Sequence, residues 1–333
     1  MPAADAQSLG GGAPLAVRAF GEDLVLWRAS DGAPQCFVDR CPHRGARLSL
    51  GRVHGDVLEC PYHGWRFAAA GRDTDTAVRA APAGRCVAIP ALAGFTPPAT
   101  HCAIAWPALE RHGLLWVAPP GTPGHAPPAP EPLAELAPRR VLCGPFDAAT
   151  SAPRVVENFL DTAHFGLVHD GWLGSRSELT VPDYRVEPDA LGRPGVARYR
   201  AWQPRASTAA EGGAWVDYRY QVLGPYSALL VKKAAAATAP REAYVLWACP
   251  LDEETTRVWF TLATDDTTRS DAELQAFQAT IFGQDAPIIE SQRPRRLPLA
   301  PAATGGELHN AADRLSAAYR RWLLEQQVTF GTC

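Results

Sequence analysis

The chain carries almost no surplus of charge. Its 35 acidic and 32 basic residues leave a formal net charge of −3, a balance that gives no sign of a basic nucleic-acid groove or a polybasic membrane patch. No apolar run approaches the roughly 18 residues that a bilayer span needs. The opening MPAADAQSLGGGAP lacks a positive segment followed by an apolar stretch, which argues against a secretory signal. No G-x-G-x-x-G sits between a strand and a helix, so the chain is not expected to bind NADH or a flavin nucleotide itself. Internal repeats are missing as well. Of the eight cysteines, Cys36, Cys86, Cys102, Cys143, Cys249 and Cys333 show no pairing pattern, as expected of free thiols in a reducing cytoplasm. What is left is a cytoplasmic protein of 333 residues, long enough for two domains with separate cores.

The other two cysteines belong to a pattern. Cys41, His43, Cys60 and His63 form C-x-H, then, after sixteen residues, C-x2-H, within CPHRGARLSLGRVHGDVLECPYHGW. Each half pairs one thiolate with one imidazole. Two cysteines on one iron and two histidines on the other make the ligand set of a Rieske [2Fe–2S] centre, in which neutral imidazoles raise the potential. A single tetrahedral zinc ion is the alternative for the same four residues. Zinc motifs commonly group Cys with Cys and His with His, whereas here the order alternates. Gly45, Gly51 and Gly64, with Pro42 and Pro61, fit short loops that bring backbone amides close to the sulfurs.

Residues 14–118 alternate short apolar runs (LAVRAF, DLVLWRA, QCFVD, DVLEC, RFAAA, CVAIP, LLWVA) with turn residues, which predicts a mostly antiparallel β domain over 1–118. Residues 119–139, rich in Pro and Gly, read as an extended connector. The remainder, 140–333, predicts an α+β domain. Its strand candidates are DYRVE, VARYRAW, AWVDYRYQVL, SALLVKKA, AYVLWACP and TRVWFTLAT. Helices are expected over 153–165, 271–292 and 307–325, the last with Leu308, Ala312, Leu315, Tyr319 and Trp322 on one apolar face. The aromatics of 198–263 (Trp202, Trp215, Tyr218, Tyr220, Tyr226, Trp247, Trp259, Phe260) read mostly as packing, and some could line an apolar pocket. Lys232 and Lys233 could meet an anionic group, but neighbours on a strand point opposite ways.

A second constellation lies in VVENFLDTAHFGLVHDGW. Asn158, Asp161 and His164 recur at intervals of three, along one helical face. His169 is about 140° further round an ideal helix, so both histidines reach one ion only if the helix loosens, for which Gly166 is well placed. A carboxylate is still needed. Asp285 shares an apolar stripe with Leu274, Phe277, Ile281 and Ile288, and a buried acid there calls for a partner such as a metal. The competing role for Asp285 is to cap a new turn near Pro287, where a kink is expected. Two histidines and one carboxylate on Fe(II) form a facial triad with open positions for O2 and substrate.

Both motifs, in this order, resemble the Rieske-type non-haem iron aromatic-ring oxygenases, and specifically their alpha (terminal oxygenase) subunit. The N-x2-D-x2-H-x4-H segment is similar to the family's mononuclear-iron motif, and Gln284 to Gln292, Q-D-x3-I-E-x-Q, to the region of the third ligand. The resemblance spans about residues 14 to 325 and is closest in layout to the homotrimeric monooxygenase and O-demethylase branch, although the segment ahead of LAVRAF is shorter than in most members. It implies a helix-grip-like catalytic domain, a [2Fe–2S] cluster on Cys41, His43, Cys60 and His63, and Fe(2+) on His164, His169 and Asp285, with Glu290 as the fallback carboxylate. It implies that Asp161 bridges His63 of one subunit and His164 of the next in a homotrimer, with Asn158 in support. Electrons from NAD(P)H are expected through a separate reductase or ferredoxin. The implied reaction is hydroxylation or O-demethylation of an aromatic or related cyclic substrate. A cis-dihydroxylating dioxygenase, an electron carrier without catalytic iron and a zinc-binding interaction protein are the rival readings.

Overall fold

The computed structural model describes the whole chain except residues 11, 71–83, 123–126, 129, 131–138, 205–212, 235–240 and 301–305. It divides into two compact units, Met1–Pro127 and Pro128–Cys333. Of the connector expected over 119–139, residues 123–126, 129 and 131–138 lie outside the described ones.

The first unit runs through β1 (Pro2–Asp5), β2 (Leu15–Ala19), β3 (Glu22–Arg28), β4 (Pro34–Val38), β5 (Arg52–His54), β6 (Val57–Glu59), β7 (Arg66–Ala68), β8 (Cys86–Ala88), β9 (Ala105–Trp106), β10 (Ala108–Arg111) and β11 (Leu114–Val117). They make three antiparallel sheets, β1-β11-β10, β2-β3-β4-β9 and β5-β6-β7-β8. Each of the seven alternating runs is a strand. The unexpected β1 has no strand pattern of its own; pairing with β11, Pro2 opposite Trp116, holds it. Val25, Trp27, Phe37, Leu48, Leu58 and Phe67 are fully buried in one core, and Cys41 and Cys60 belong to it. The thiols therefore sit on the apolar side of their loops, not in solvent.

The second unit contains β12 (Arg139–Ala148), α1 (Ala152–Leu160), α2 (Phe165–Val168), β13 (Glu187–Pro188), β14 (Pro194–Gln203), β15 (Ala214–Gly224), β16 (Ser227–Ala234), β17 (Arg241–Pro250), β18 (Thr256–Thr264), α3 (Asp271–Ser291) and α4 (Arg314–Glu325). One antiparallel sheet of seven strands, in the order β12-β18-β17-β16-β15-β14-β13, carries the helices. Helix α1 lies against β16, β17 and β18, α3 against β12, and α4 against β14. Side chains alternate across a pleated strand, so one face of β15 to β18 meets α1 and α3. A cavity forms in that layer.

Three sequence expectations change. The helix expected over 153–165 stops at Leu160, because Asp161 turns extended (φ −78°, ψ 137°). Helix α3 starts on a capping box, Ser270 with Glu273, and runs through Pro287 to Ser291, so Asp285 caps no new turn. Its buried face uses Ile289 instead of Ile288, which is 49% exposed. Helix α4 begins only at Arg314, after a tight turn at 311–313 capped by Asn310. Leu308 lies outside it and is exposed.

A buried ionic network ties α1 to the chain on the C-terminal side of α3. The Arg154 guanidinium, fully buried, donates to the Pro294 carbonyl (2.8 Å) and to Glu307 (2.7 Å). Arg320 of α4 joins Glu157 (2.5 Å) to Glu307 (2.6 Å). Planar guanidinium forks suit such shared carboxylates. The helix that leads into the second constellation is thereby fixed at its base.

Candidate metal centres and their cavity

The first candidate centre is built from two matched loops, 41–46 and 60–65. The Cys41 N–H donates to the Ala46 carbonyl and the Cys60 N–H to the Trp65 carbonyl, both at 2.8 Å. Gly45 and Gly64 donate back to the carbonyls of Cys41 (2.9 Å) and Cys60 (3.1 Å). Each glycine has a φ near +70°, which side chains rarely adopt. At Gly64 a β-carbon would also lie 2.9 Å from Pro90 Cγ. These loops bring the rings of His43 and His63 together, 4.7 Å between centres. Trp65 stacks on His43 at 4.5 Å, and His101 on Trp65 at 5.2 Å.

Burial, and after it the neighbouring Cys60, push the Cys41 thiol up to about 11 against the lowering effect of the His43 N–H. A bare thiolate is disfavoured there, and a metal would supply the missing positive charge. Partial desolvation first, then the charges of His63, Arg44 and His101, hold His43 below the ordinary histidine range. That favours the neutral ring a metal needs. Two buried thiols and two exposed imidazoles fit the split ligand set of the two-iron cluster, two cysteines on one iron and two histidines on the other.

The second candidate centre gathers His164, His169 and Asp285, whose ligand atoms lie within 4.8 Å of one another. The helix breaks at Asp161 to Ala163, not at Gly166, so His164 opens α2 and His169 closes it. Gly166 serves a different end: a β-carbon there would meet Ser175 O at 2.8 Å, and one on Gly174 would meet Gly166 N at 2.5 Å. The close backbone approach packs α2 against the chain that follows it, at Gly174 and Ser175. His164 Nε2 and His169 Nε2 then stand 3.5 and 3.2 Å from Asp285 Oδ1. The other ring nitrogens are engaged, His164 Nδ1 with Asp161 Oδ2 (3.2 Å) and His169 Nδ1 with Gln284 Oε1 (2.8 Å). Both acceptors lack a proton to give, so each neutral ring carries its hydrogen on Nδ1 and aims a lone pair inward. Two inward imidazoles and a carboxylate fit a facial-triad iron.

Around the triad, Asn158 Nδ2 donates to Asp285 Oδ1 at 3.2 Å. Asp161 also accepts from the Ala163 N–H (2.8 Å). Burial would raise the Asp161 carboxyl, but the hydrogen bond from His164, with those from the Ala163 and Thr162 amides, outweighs it and holds it below the ordinary aspartate range. Glu290 is turned away to accept from the Ala149 N–H at 2.9 Å, which leaves Asp285 as the carboxylate at the triad.

The open side of the triad faces a cavity. Phe159 and Phe165 line it from the α1–α2 segment, Phe277 and Phe282 from α3, and Tyr218, Tyr244 and Phe260 from the sheet. Of the aromatics singled out in the sequence, Tyr218 and Phe260 are there, whereas Trp202 and Trp215 line a separate cavity. Trp247, Trp259 and Tyr220 are buried in the core. Gln278, which is buried, also lines the main cavity. Sequence reasoning missed Gln278 and Gln284, whose meaning depends on neighbours more than a hundred residues away, such as His169.

A family model described as the Rieske [2Fe-2S] domain matches residues 1–94, and one described as the vanillate O-demethylase oxygenase C-terminal domain matches residues 148–326. The second alone takes in more than half of the chain. The chain belongs to the Rieske non-haem iron oxygenases. This oxygenase is 31% identical over 317 residues to methylxanthine N1-demethylase NdmA of Pseudomonas putida, across 94% of its own length and 82% of the relative's. It is 38% identical over 222 residues to the probable methylxanthine N7-demethylase NdmC of Pseudomonas sp. (strain TJI-51), across 66% and 77%. The solved structure of Pseudomonas putida CBB5 NdmA with caffeine matches with a TM-score of 0.78 at 28% identity, over 97% of this chain and 89% of that one. The protein is thus a terminal oxygenase component that uses O2 at a mononuclear iron on an aromatic or related cyclic substrate, with a Rieske [2Fe–2S] cluster as its second cofactor. No helix among the described residues is long and apolar enough to cross a membrane.

Proposed function

We propose that this oxygenase demethylates a flat ring, oxidising a methyl group on a ring nitrogen or a ring-bound oxygen and releasing formaldehyde. The observation that carries this reading is the aromatic-lined cavity opening onto His164, His169 and Asp285. The similarity to the methylxanthine demethylases supports nitrogen over oxygen as the methyl carrier. In this reading Cys41, His43, Cys60 and His63 hold the cluster, and His164, His169 and Asp285 hold the iron. Bound iron supplies the activation of O2. The chain's own residues do the rest. Asp161 and Gln284 fix the two imidazoles, and Asn158 orients the carboxylate. The phenylalanines exclude water and hold the ring with its methyl group toward the triad.

The balance is simple. One oxygen atom of O2 enters a C–H bond of the methyl group, the other leaves as water, and two electrons and two protons are consumed. The resulting hydroxymethyl group breaks at its C–N or C–O bond, leaving N–H or O–H on the ring and formaldehyde. The electrons come from a separate reductase or ferredoxin through His63 and Asp161 of a neighbouring copy in a homotrimer, then His164.

The test is oxygen uptake with a surrogate reductase and a panel of N-methylated purinediones, N-methylated imides and methoxylated benzoates. Formaldehyde released in step with oxygen consumed, on an N-methylated ring, is the expected result. A diol product without formaldehyde would replace demethylation by cis-dihydroxylation.

A further inference from the structure

The iron site reads the methyl group; something else must read the ring that carries it. The sheet side of the cavity offers one polar group that the triad does not use. Lys232 lines the cavity and is 5% exposed, while Lys233 beside it points to solvent, as the pleat of β16 requires. A lone ammonium this deep would cost several kcal/mol. Glu242, directly across on β17 and fully buried, takes it at 2.8 Å. Tyr244, two residues along the same strand and hence on the same face, donates its hydroxyl to that carboxylate at 3.4 Å. Its ring centre lies 5.5 Å from the ammonium. Burial first, then the Glu242 charge, push the Tyr244 phenol well above its ordinary range, so it remains a donor.

The pairing decides what the lysine can bind. An ammonium has three N–H donors, and Glu242 is its one carboxylate partner among the described residues. Hydrogens are left over, but net charge is not. A substrate carboxylate brought here would feel Lys232 and Glu242 with opposite sign, and its own desolvation would go largely uncompensated. A neutral carbonyl oxygen or ring nitrogen is cheaper to desolvate and still gains a charge-assisted hydrogen bond. We propose that Lys232, neutralised by Glu242, anchors an uncharged hydrogen-bond acceptor on the substrate ring and that the pair turns carboxylated rings away. The inference rests on the cavity being the substrate site, as in the function proposed above, and adds the electrostatic class of the substrate.

Anaerobic holoenzyme without an electron donor isolates binding from turnover. Calorimetric titration with dimethyluracil (neutral acceptors), anisole (an aryl ether, with a much weaker acceptor) and para-anisate (an anion) reads the preference directly. Wild-type protein should bind dimethyluracil most tightly and para-anisate least. Glu242→Gln uncovers the lysine charge and should tighten para-anisate by about tenfold or more. Lys232→Met alone would strand the Glu242 charge and could unfold the protein, so the informative variant is Lys232→Met with Glu242→Leu. That double variant should lose about tenfold for dimethyluracil and little for anisole. Unchanged para-anisate affinity in Glu242→Gln, unchanged dimethyluracil affinity in the double variant, or no binding of dimethyluracil to wild type would each overturn the proposal. Normal binding with no formaldehyde on turnover would instead sink demethylation and leave this assignment standing.

Discussion

His164 and His169 are held by unlike partners. Asp161 sets a carboxylate behind the first ring, and Gln284 sets a neutral amide behind the second. Both fix the tautomer, but only the first sets a charged group behind its ring, the one that the proposed electron route reaches. Gln284 therefore has a purely orienting task. Replacing it by leucine keeps the helix and removes the acceptor, so His169 loses its lock. Gln284→Leu is expected to weaken Fe(II) binding by about 10–100-fold while the visible spectrum of the cluster stays unchanged; equilibrium dialysis against iron measures it. The contrast between these residues also shows what sequence can tell. Cys41, His43, Cys60 and His63, or Asn158, Asp161, His164 and His169, come as local patterns whose spacing carries the chemistry. Gln284, Gln278 and the partner of Lys232 take their meaning from chain brought in by tertiary packing, and no local spacing announces that.

Among the elements, α2 is the most delicate. Four residues long, it has little stability of its own and is placed by the contact of Gly166 with Gly174. Here the sequence misled: Gly166 suggested a helix break, whereas the break comes earlier, where Asp161 bonds its own following amide at Ala163. Gly174→Ala would drive a methyl to 2.5 Å from the Phe165 carbonyl carbon and the Gly166 nitrogen. Backbone must then move, and both histidines with it. The expected result is loss of mononuclear iron with an intact cluster, read by metal analysis beside the visible spectrum.

Helix α1 depends on charge instead. Burial would raise the Glu307 carboxyl, but hydrogen bonds from Arg154 and Arg320, and their charges, outweigh it and hold it below the ordinary glutamate range. A carboxyl depressed in the folded state stabilises fully above its unfolded value of about 4.3. That stabilisation is lost as pH falls through the lower folded value. Glu307→Gln should therefore cost stability at neutral pH, and its denaturation midpoint should fall less steeply on acidification than that of wild type.

At the scale of the whole molecule, the proposed electron route crosses between copies of the chain, from His63 of one to Asp161 and His164 of the next. Two inactive variants can then rescue each other. An Asp285→Ala chain keeps its cluster but lacks iron, and a His63→Ala chain keeps its iron site but has a damaged cluster. Refolded or co-expressed together, they should recover a substantial part of wild-type turnover. Separately purified and never mixed, each should stay inactive, and no recovery on mixing would place the route within one chain.

In the function proposed above, one chain holds two different iron sites, a cluster on Cys41, His43, Cys60 and His63 and a single ion on His164, His169 and Asp285. Iron and acid-labile sulfide counted in wild type and in Asp285→Ala test it most directly. About three irons and two sulfides per chain are expected in wild type, falling to about two irons with both sulfides kept in the variant. Equal iron in the two proteins, or wild type with no sulfide, would contradict the account.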